Sequence, residues 1–417
     1  MKVVGVIAEY NPFHNGHKYH LEKIKEMTNA DYCIVIMSGN FVQRGAPALI
    51  DKYSRAKMAL LNGADLVIEL PVYYATSSAE NFAAGSIALL DRLGVVDTIC
   101  FGSECGDISV LSTFAKILAE ESDAFTEALR HNLRNGLSYP TARNNALTFV
   151  HKELCEHIQV LSSPNNILGI EYIKALYRRH SSIVPMTNLR VGSAYHDTRL
   201  SLNKSSAIAI RQSLEQLDNL LLIANQVPSN VFQIMEEHFH VNYPIYQQDI
   251  SLPLKYKLLQ HQKQGYSQFV DISEDLSDKI KKNLEMFTSC KEFCEILKSK
   301  DMTYTRISRC LLHILLDIKK DSLQQFLSDD YVYYARILGL KQNSTDLLSA
   351  IKQKSSIPLL SKLADAETVL NSDGQGTYAL EMLHSDIFAS HVYDSVATDK
   401  YHTMLPNEYR RQIIKVR

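Results

Sequence analysis

The first twenty residues, MKVVGVIAEYNPFHNGHKYH, restrict the possible folds more than any other stretch. Val3, Val4, Val6, Ile7 and Ala8 form a short apolar run rich in β-branched side chains, followed by a turn cluster. That pattern predicts a parallel strand buried on both faces. After Asn11-Pro12-Phe13-His14-Asn15-Gly16-His17 a helical period begins, with Leu21, Ile24 and Met27 at three-residue steps. Strand, turn and helix in that order place the turn at the strand's carboxyl end, where open parallel sheets bind ligands. The first amides of a helix lack internal partners, and its dipole favours negative charge. Gly16 allows close backbone approach. His14 and His17 can each donate a hydrogen bond to charge that grows in a transition state, which makes them the candidate catalytic residues. A bare His-x-Gly-His fits a helix-capping turn equally well. Its place directly after a buried N-terminal strand favours a nucleotide site.

The alternation continues. Asp31 to Met37, Asp65 to Leu70 and Asp97 to Phe101 are predicted strands, with helices from Asp51 to Gly63 and from Ala79 to Leu93 between them. Four alternations within about a hundred residues predict an α/β fold, a Rossmann-like doubly wound parallel sheet with right-handed crossovers. Arg44, in the loop after the second strand, and Gly102, after the fourth, lie where a ligand would be met. Residues 107–154 read as a helical insertion broken at Tyr139-Pro140. Asn165 or Asn166 is the expected N-cap of a helix running through Leu176. A strand over Ser182 to Pro185 leads to Arg190. Ser205 and Ser206 open a helix that carries Arg211, a second anion-binding constellation. The charges from Arg190 to Arg211 are Arg190, Asp197, Arg199, Lys204 and Arg211, a basic set.

Beyond about residue 220 the pattern turns helical, with a boundary near Gln226-Val227-Pro228. The expected division is a catalytic domain over 1–225 and a mostly α-helical domain over 226–417. Lys298, Lys300, Arg306 and Arg309 cluster there against Asp301, with Tyr304 among them. Such a group suits an RNA backbone with an unstacked base, although most charge runs are simply solvated faces. Lys plus Arg is 44 and Asp plus Glu is 46, so no globally basic DNA binder is expected and any RNA surface must be local. Seven cysteines without zinc-site spacing point to a reducing compartment and no protein-held metal. With no leader sequence and no apolar run of membrane length, a cytoplasmic protein without a membrane partner is expected.

Longer stretches carry a resemblance. Gly5 to His17, Ser38 to Gly45 and Pro164 to Gly169, together with Ser205-Ser206 and Arg211, resemble the nucleotidylyltransferase superfamily. Within it they are similar to the bacterial tRNA(Met) cytidine acetate ligase family. The resemblance implies that ATP and acetate form acetyl-adenylate and pyrophosphate. The acetyl group then passes to the wobble cytidine of elongator tRNA(Met), giving N4-acetylcytidine. It places ATP binding on Ile7, Ala8, Glu9, Tyr10, Asn11, Pro12, Phe13, His14, Asn15, Gly16, His17, Lys18, Tyr19 and His20. Further contacts fall at Gly102, Asn165, Arg190, Ser206 and Arg211, with Mg2+ expected to share the phosphate charge. Lys298, Arg306 and Arg309 are the expected tRNA contacts. The sequence departs from the superfamily where Ala207, Ile208 and Ala209 replace hydroxyl residues, so backbone amides are expected to serve there. Two other readings compete: an adenylyltransferase joining AMP to a phosphorylated small molecule, and an RNA-binding protein with a degenerate nucleotide fold.

Overall fold

The computed structural model describes residues 1–190, 205–371 and 376–417. Five strands, β1 (Val3–Ala8), β2 (Tyr32–Ser38), β3 (Leu66–Leu70), β4 (Thr98–Ser103) and β5 (Val184–Leu189), run parallel in the order β3-β2-β1-β4-β5. The order reverses at β1, and the crevice at such a reversal is where doubly wound sheets bind ligands. Side chains alternate along each strand, so every strand serves two cores. Val4 and Val6 face one core with Cys33, Val35, Met37 and Cys100. Val3 faces the other with Ile34, Ile36, Ile68 and Ile99.

Helices cover both faces. On one lie α1 (Asn15–Thr28) and α2 (Lys52–Leu61), and on the other α3 (Ala79–Arg92). A Cβ on Gly5 would stand 2.9 Å from Leu90 Cδ2, so the absent side chain lets α3 sit directly on β1. Leu21 and Ile24 of α1 are buried, while Met27 is 37% exposed. A strict three-residue step lags behind the 3.6-residue turn, so the third member rotates away from the core. The insertion is helical as expected: α4 (Ile108–Glu120), α5 (Asp123–Arg134) and α6 (Tyr139–Val150), then a 3₁₀ segment, Lys152–Ser162. α7 (Pro164–Arg178) returns the chain to the sheet, and α8 (Ala207–Leu217) follows β5.

Two details differ from the sequence reading. Ser163, not Asn165 or Asn166, occupies the N-cap position of α7, because Pro164 takes the first helical place. The second half is mostly helical, as expected, and it also contributes strands that the sequence reading did not place. Its helices between Ser229 and Ser328 are joined by β6 (Ala335–Lys341), β7 (Leu359–Leu360) and β8 (Ile414–Val416). These extend the same sheet, β6 antiparallel to β3 and both β7 and β8 parallel to β6. β7 and β8, of two and three residues, leave too short a pattern to recognise.

A buried ionic cluster fastens that extension. Lys52 Nζ lies 2.8 Å from Glu69 Oε1 and 2.6 Å from Glu408 Oε1, and donates to Ser390 Oγ at 2.8 Å. Arg336 of β6 pairs with Glu69 at 3.2 Å and with Glu408. All four charges are at most 4% exposed, and two cations balance two carboxylates. Burial raises the Glu408 carboxyl, but Lys52 and Arg336 outweigh it and hold the group below the usual carboxylate range. Removing one member leaves an uncompensated buried charge. Lys52→Met should therefore cost about 3–5 kcal/mol of stability in equilibrium urea unfolding. A loss below about 1 kcal/mol would show that the cluster is not a fastening.

Candidate active site

The turn between β1 and α1 forms the floor of a cleft of about 250 Å³. His14 is the N-cap of α1, and its Nδ1 accepts the Gly16 amide at 3.0 Å. The His14 amide in turn donates to His17 Nδ1 at 3.2 Å. Each imidazole thus has its Nδ1 engaged as an acceptor, which puts the ring proton of the neutral form on Nε2. The two rings stack at 3.7 Å, and Tyr10 and Phe13 pack against His17 at 4.9 and 5.6 Å. The amides of Asn15, Gly16 and His17 are all occupied, by Gln226 O, His14 Nδ1 and His14 O. The helix start therefore presents imidazole donors rather than bare amides, a correction to the simplest helix-terminus picture.

Positive charge surrounds these rings. Burial, with Arg190 and Arg211 beside it, pushes His14 down to about 3. Burial likewise lowers His20 to about 4, partly offset by a hydrogen bond with Asn188. His17 is held well below the ordinary histidine range by burial and by His14. Three neutral histidines next to two guanidiniums make a site for an anion. Arg211 donates to the Asn11 carbonyl, which fixes it against the first motif. Gly102 leaves room for Arg190: a Cβ there would stand 3.0 Å from Arg190 Cγ. Ser206 caps α8, its Oγ accepting the Ala209 amide at 3.1 Å, and Ala207 and Ile208 in the first turn of α8 also line the cleft.

Of the residues expected to bind nucleotide, Ile7, Ala8, Glu9, Tyr10, Asn11, His14, Gly16, His17, Tyr19 and His20 line the cleft. So do Gly102, Asn165, Arg190, Ser206 and Arg211. Pro12, Phe13, Asn15 and Lys18 are not among the lining residues. Phe13 supports His17 from below, Asn15 donates to the Asn225 carbonyl at 2.8 Å, and Lys18 points to Glu22. The Asn165 side-chain amide donates to Glu104 Oε1 at 2.6 Å, and the Asn166 amide to Glu104 Oε2 at 2.9 Å. That carboxylate caps α7 from outside, a favourable place for negative charge. Asp197, Arg199 and Lys204 lie outside the described residues.

The cleft also has an apolar wall of Phe82, Phe101, Leu168 and Tyr172 that the sequence reading missed. Only the packing of α7 against α3 and β4 brings these residues together, which no local pattern records. Of the basic group in the second half, Arg309 is turned inward, 16% exposed, with Nε 3.9 Å from Asp271. Lys298 pairs with Glu295 at 3.2 Å, and the Tyr304 hydroxyl donates to Gln247 at 2.7 Å. Lys298, Lys300 and Arg306 are exposed, and Arg309 is the member turned away from them.

The neutral histidines have a consequence for stability. A folded-state value below the ordinary 6.5 means that the unfolded chain takes up protons first on acidification. This contribution is fully present above about pH 6.5 and is lost as the pH falls toward 4, by up to about 1.4 kcal/mol per pH unit for each histidine. Unfolding measured from pH 7 to pH 4.5 should show that slope, reduced in His20→Gln. Imidazole 15N shifts of His14 and His17 should report Nε2–H tautomers that persist to pH 5.

The comparisons with known proteins agree with this geometry. Residues 1–408 match the family described as HIGH Nucleotidyl Transferase. The tRNA(Met) cytidine acetate ligase of Clostridium kluyveri is 41% identical over 402 residues, 95% of this chain and 98% of that one. That of Caldanaerobacter subterraneus is 42% identical over 397 residues, 94% and 95% of the two chains. The crystal structure of Thermotoga maritima TmcAL superposes over the whole of both chains with a TM-score of 0.95 at 33% identity. The same protein bound with α-thio ATP gives 0.92 at 32% identity, covering 100% of this chain and 99% of that one. The chain belongs to the tRNA(Met) cytidine acetate ligase family of HIGH-type nucleotidyl transferases.

Proposed function

We propose that the protein activates acetate with ATP and transfers the acetyl group to the wobble cytidine of elongator tRNA(Met). The observation that carries this reading is the cleft at the β1/β4 reversal, where His14, His17, Arg190 and Arg211 converge. Family membership narrows the substrates, and the solved relative with an ATP analogue supports ATP as the nucleotide.

Acetate is already an anion and needs positioning rather than a base. Its oxygen attacks the α-phosphorus, and the bond to the β-phosphate bridging oxygen breaks to release pyrophosphate. Charge grows on the α-phosphate oxygens and on the leaving group. The Nε2–H groups of His14 and His17 supply directed donors without changing protonation, and Arg190 and Arg211 supply fixed charge. One such donor is typically worth about 3–4 kcal/mol in the transition state. In the second step the cytidine N4 attacks the acetyl carbonyl, loses a proton and expels AMP. Mg2+ would accompany the triphosphate and share its charge. The one acidic side chain among the described residues lining the cleft is Glu9, whose Oε1 accepts the Gln43 amide at 2.9 Å.

His14→Ala and His17→Ala should each lower acetate-dependent ATP–pyrophosphate exchange by about 100- to 1,000-fold. Exchange at the normal rate in both variants would refute the catalytic assignment. Pyrophosphate release that required a phosphorylated metabolite instead of acetate would favour the simple adenylyltransferase.

A further inference from the structure

The insertion carries a surface that the cleft chemistry leaves unused. Residues 128–152 contain no Asp or Glu but hold Arg130, Arg134, Arg143 and Lys152. α5 and α6 pack together as a hairpin. Arg130 and Arg134, one helical turn apart on α5, are both exposed. Neither has an ion-pair partner among the described residues. On α6, Thr141, Asn145 and Phe149 recur at four-residue steps and are all exposed, Phe149 to 75%. Tyr139, at the start of α6, is 57% exposed. Arg143 is the exception: its Nε is buried, and Glu171 of α7 is near it.

A helix dipole explains cations in the last turn of α5. It does not explain why acid stays absent through the whole of α6, nor why two aromatic rings stand in solvent. Cations interleaved with exposed aromatics and amides are the combination that single-stranded RNA loops require, arginine for phosphates and rings for unstacked bases. The position fits as well. The 3₁₀ segment Lys152–Ser162 packs on both α6 and α7 and runs straight into α7, where Asn165 lines the cleft. Asn166 Nδ2 donates to the Val160 carbonyl at 3.2 Å and locks that junction.

We infer that the α5–α6 hairpin is the surface that docks the anticodon arm of the tRNA beside the cleft, with Arg130 and Arg134 on phosphates and the exposed rings under loop bases. The inference rests on the tRNA reading above. It moves the principal RNA contact away from the partly occupied group at Lys298, Arg306 and Arg309.

The test measures tRNA(Met) binding against salt, beside acetate-dependent ATP–pyrophosphate exchange, which uses no tRNA. In Arg130→Glu/Arg134→Glu, exchange is expected to stay near the wild-type rate, which also reports an intact fold. Affinity for tRNA should fall at least tenfold at about 0.1 M salt, and the slope of log affinity against log salt should flatten by about 1.5 to 2. Phe149→Ala should weaken binding about five- to tenfold with the slope unchanged. Lys298→Glu/Arg306→Glu should change affinity less than threefold. Unaltered affinity and slope in the Arg130/Arg134 variant, with the loss appearing in the Lys298/Arg306 variant, would overturn the inference. A wild-type protein that bound tRNA through the hairpin but exchanged no pyrophosphate with acetate would sustain the surface and refute the activity. Failure of the wild type to bind tRNA would refute both.

Discussion

The cleft depends on one buried guanidinium. Arg55 of α2 is fully buried, and its donors reach four carbonyls: Ile50 at 2.8 Å, Glu9 at 2.6 Å, Ser38 at 3.1 Å, and Gly39. Glu9, Ser38 and Gly39 lie at the carboxyl ends of β1 and β2, where the strands part and their carbonyls lose ladder partners. A buried carbonyl left unpaired costs about 1–3 kcal/mol. One planar fork of five donors satisfies several of them together, which a flexible ammonium would do less well. Side chains add cross-links between the same loops. Asn11 Oδ1 accepts the Leu49 amide at 2.7 Å, and Asn40 Oδ1 accepts the Lys52 amide at 2.8 Å. The turn that carries His14 and His17 is thereby tied to the loop after β2, and the histidines inherit its rigidity.

That rigidity matters for the proposed role of the histidines as donors of fixed direction. A protonated imidazole beside Arg190 and Arg211 would add charge to an already positive site, and burial opposes it further. Neutral rings avoid this. Each Nδ1 takes a backbone amide, which leaves Nε2–H as the available donor of each neutral ring. The dipole of α1 acts through the same rings. Preorganised donors of this kind cost no reorganisation as charge develops.

How far this was legible in the sequence differs from part to part. β1 to β4 and the first motif were legible because buried parallel strands leave continuous apolar runs, bounded here by Gly, Pro and Asn. Ser206 and Arg211 were legible for a local reason, a cap and a cation on one helix. The apolar wall of Phe82, Phe101, Leu168 and Tyr172 was not, since it is assembled from three separate elements, α3, β4 and α7. Asn165 was expected both as a cap and as a nucleotide contact, and it lines the cleft without being the cap. Its partner, Glu104, lies 61 residues away, beyond the reach of any local pattern. The group at Lys298 to Arg309 shows the opposite limit. Its charges are close in sequence, yet Arg309 turns to Asp271 and Tyr304 to Gln247, and only the fold records those directions.

The same limit explains the second half. A parallel sheet ending at β3 would leave that strand's far edge unpaired, an exposed template for aggregation. β6 closes it, and β6 is held there by Arg336 on Glu69 and Glu408. Glu69 stands in β3 itself, so a carboxylate is placed inside the sheet core where burial disfavours its charge. It is tolerable only because Lys52 and Arg336 arrive from two other segments and Glu408 completes the balance. A β3 isolated from the second half would keep Glu69 and Lys52 but lose Arg336 and Glu408, together with its edge partner. The C-terminal residues are therefore part of the nucleotide fold's own core, and the two halves have physical reason to fold as one.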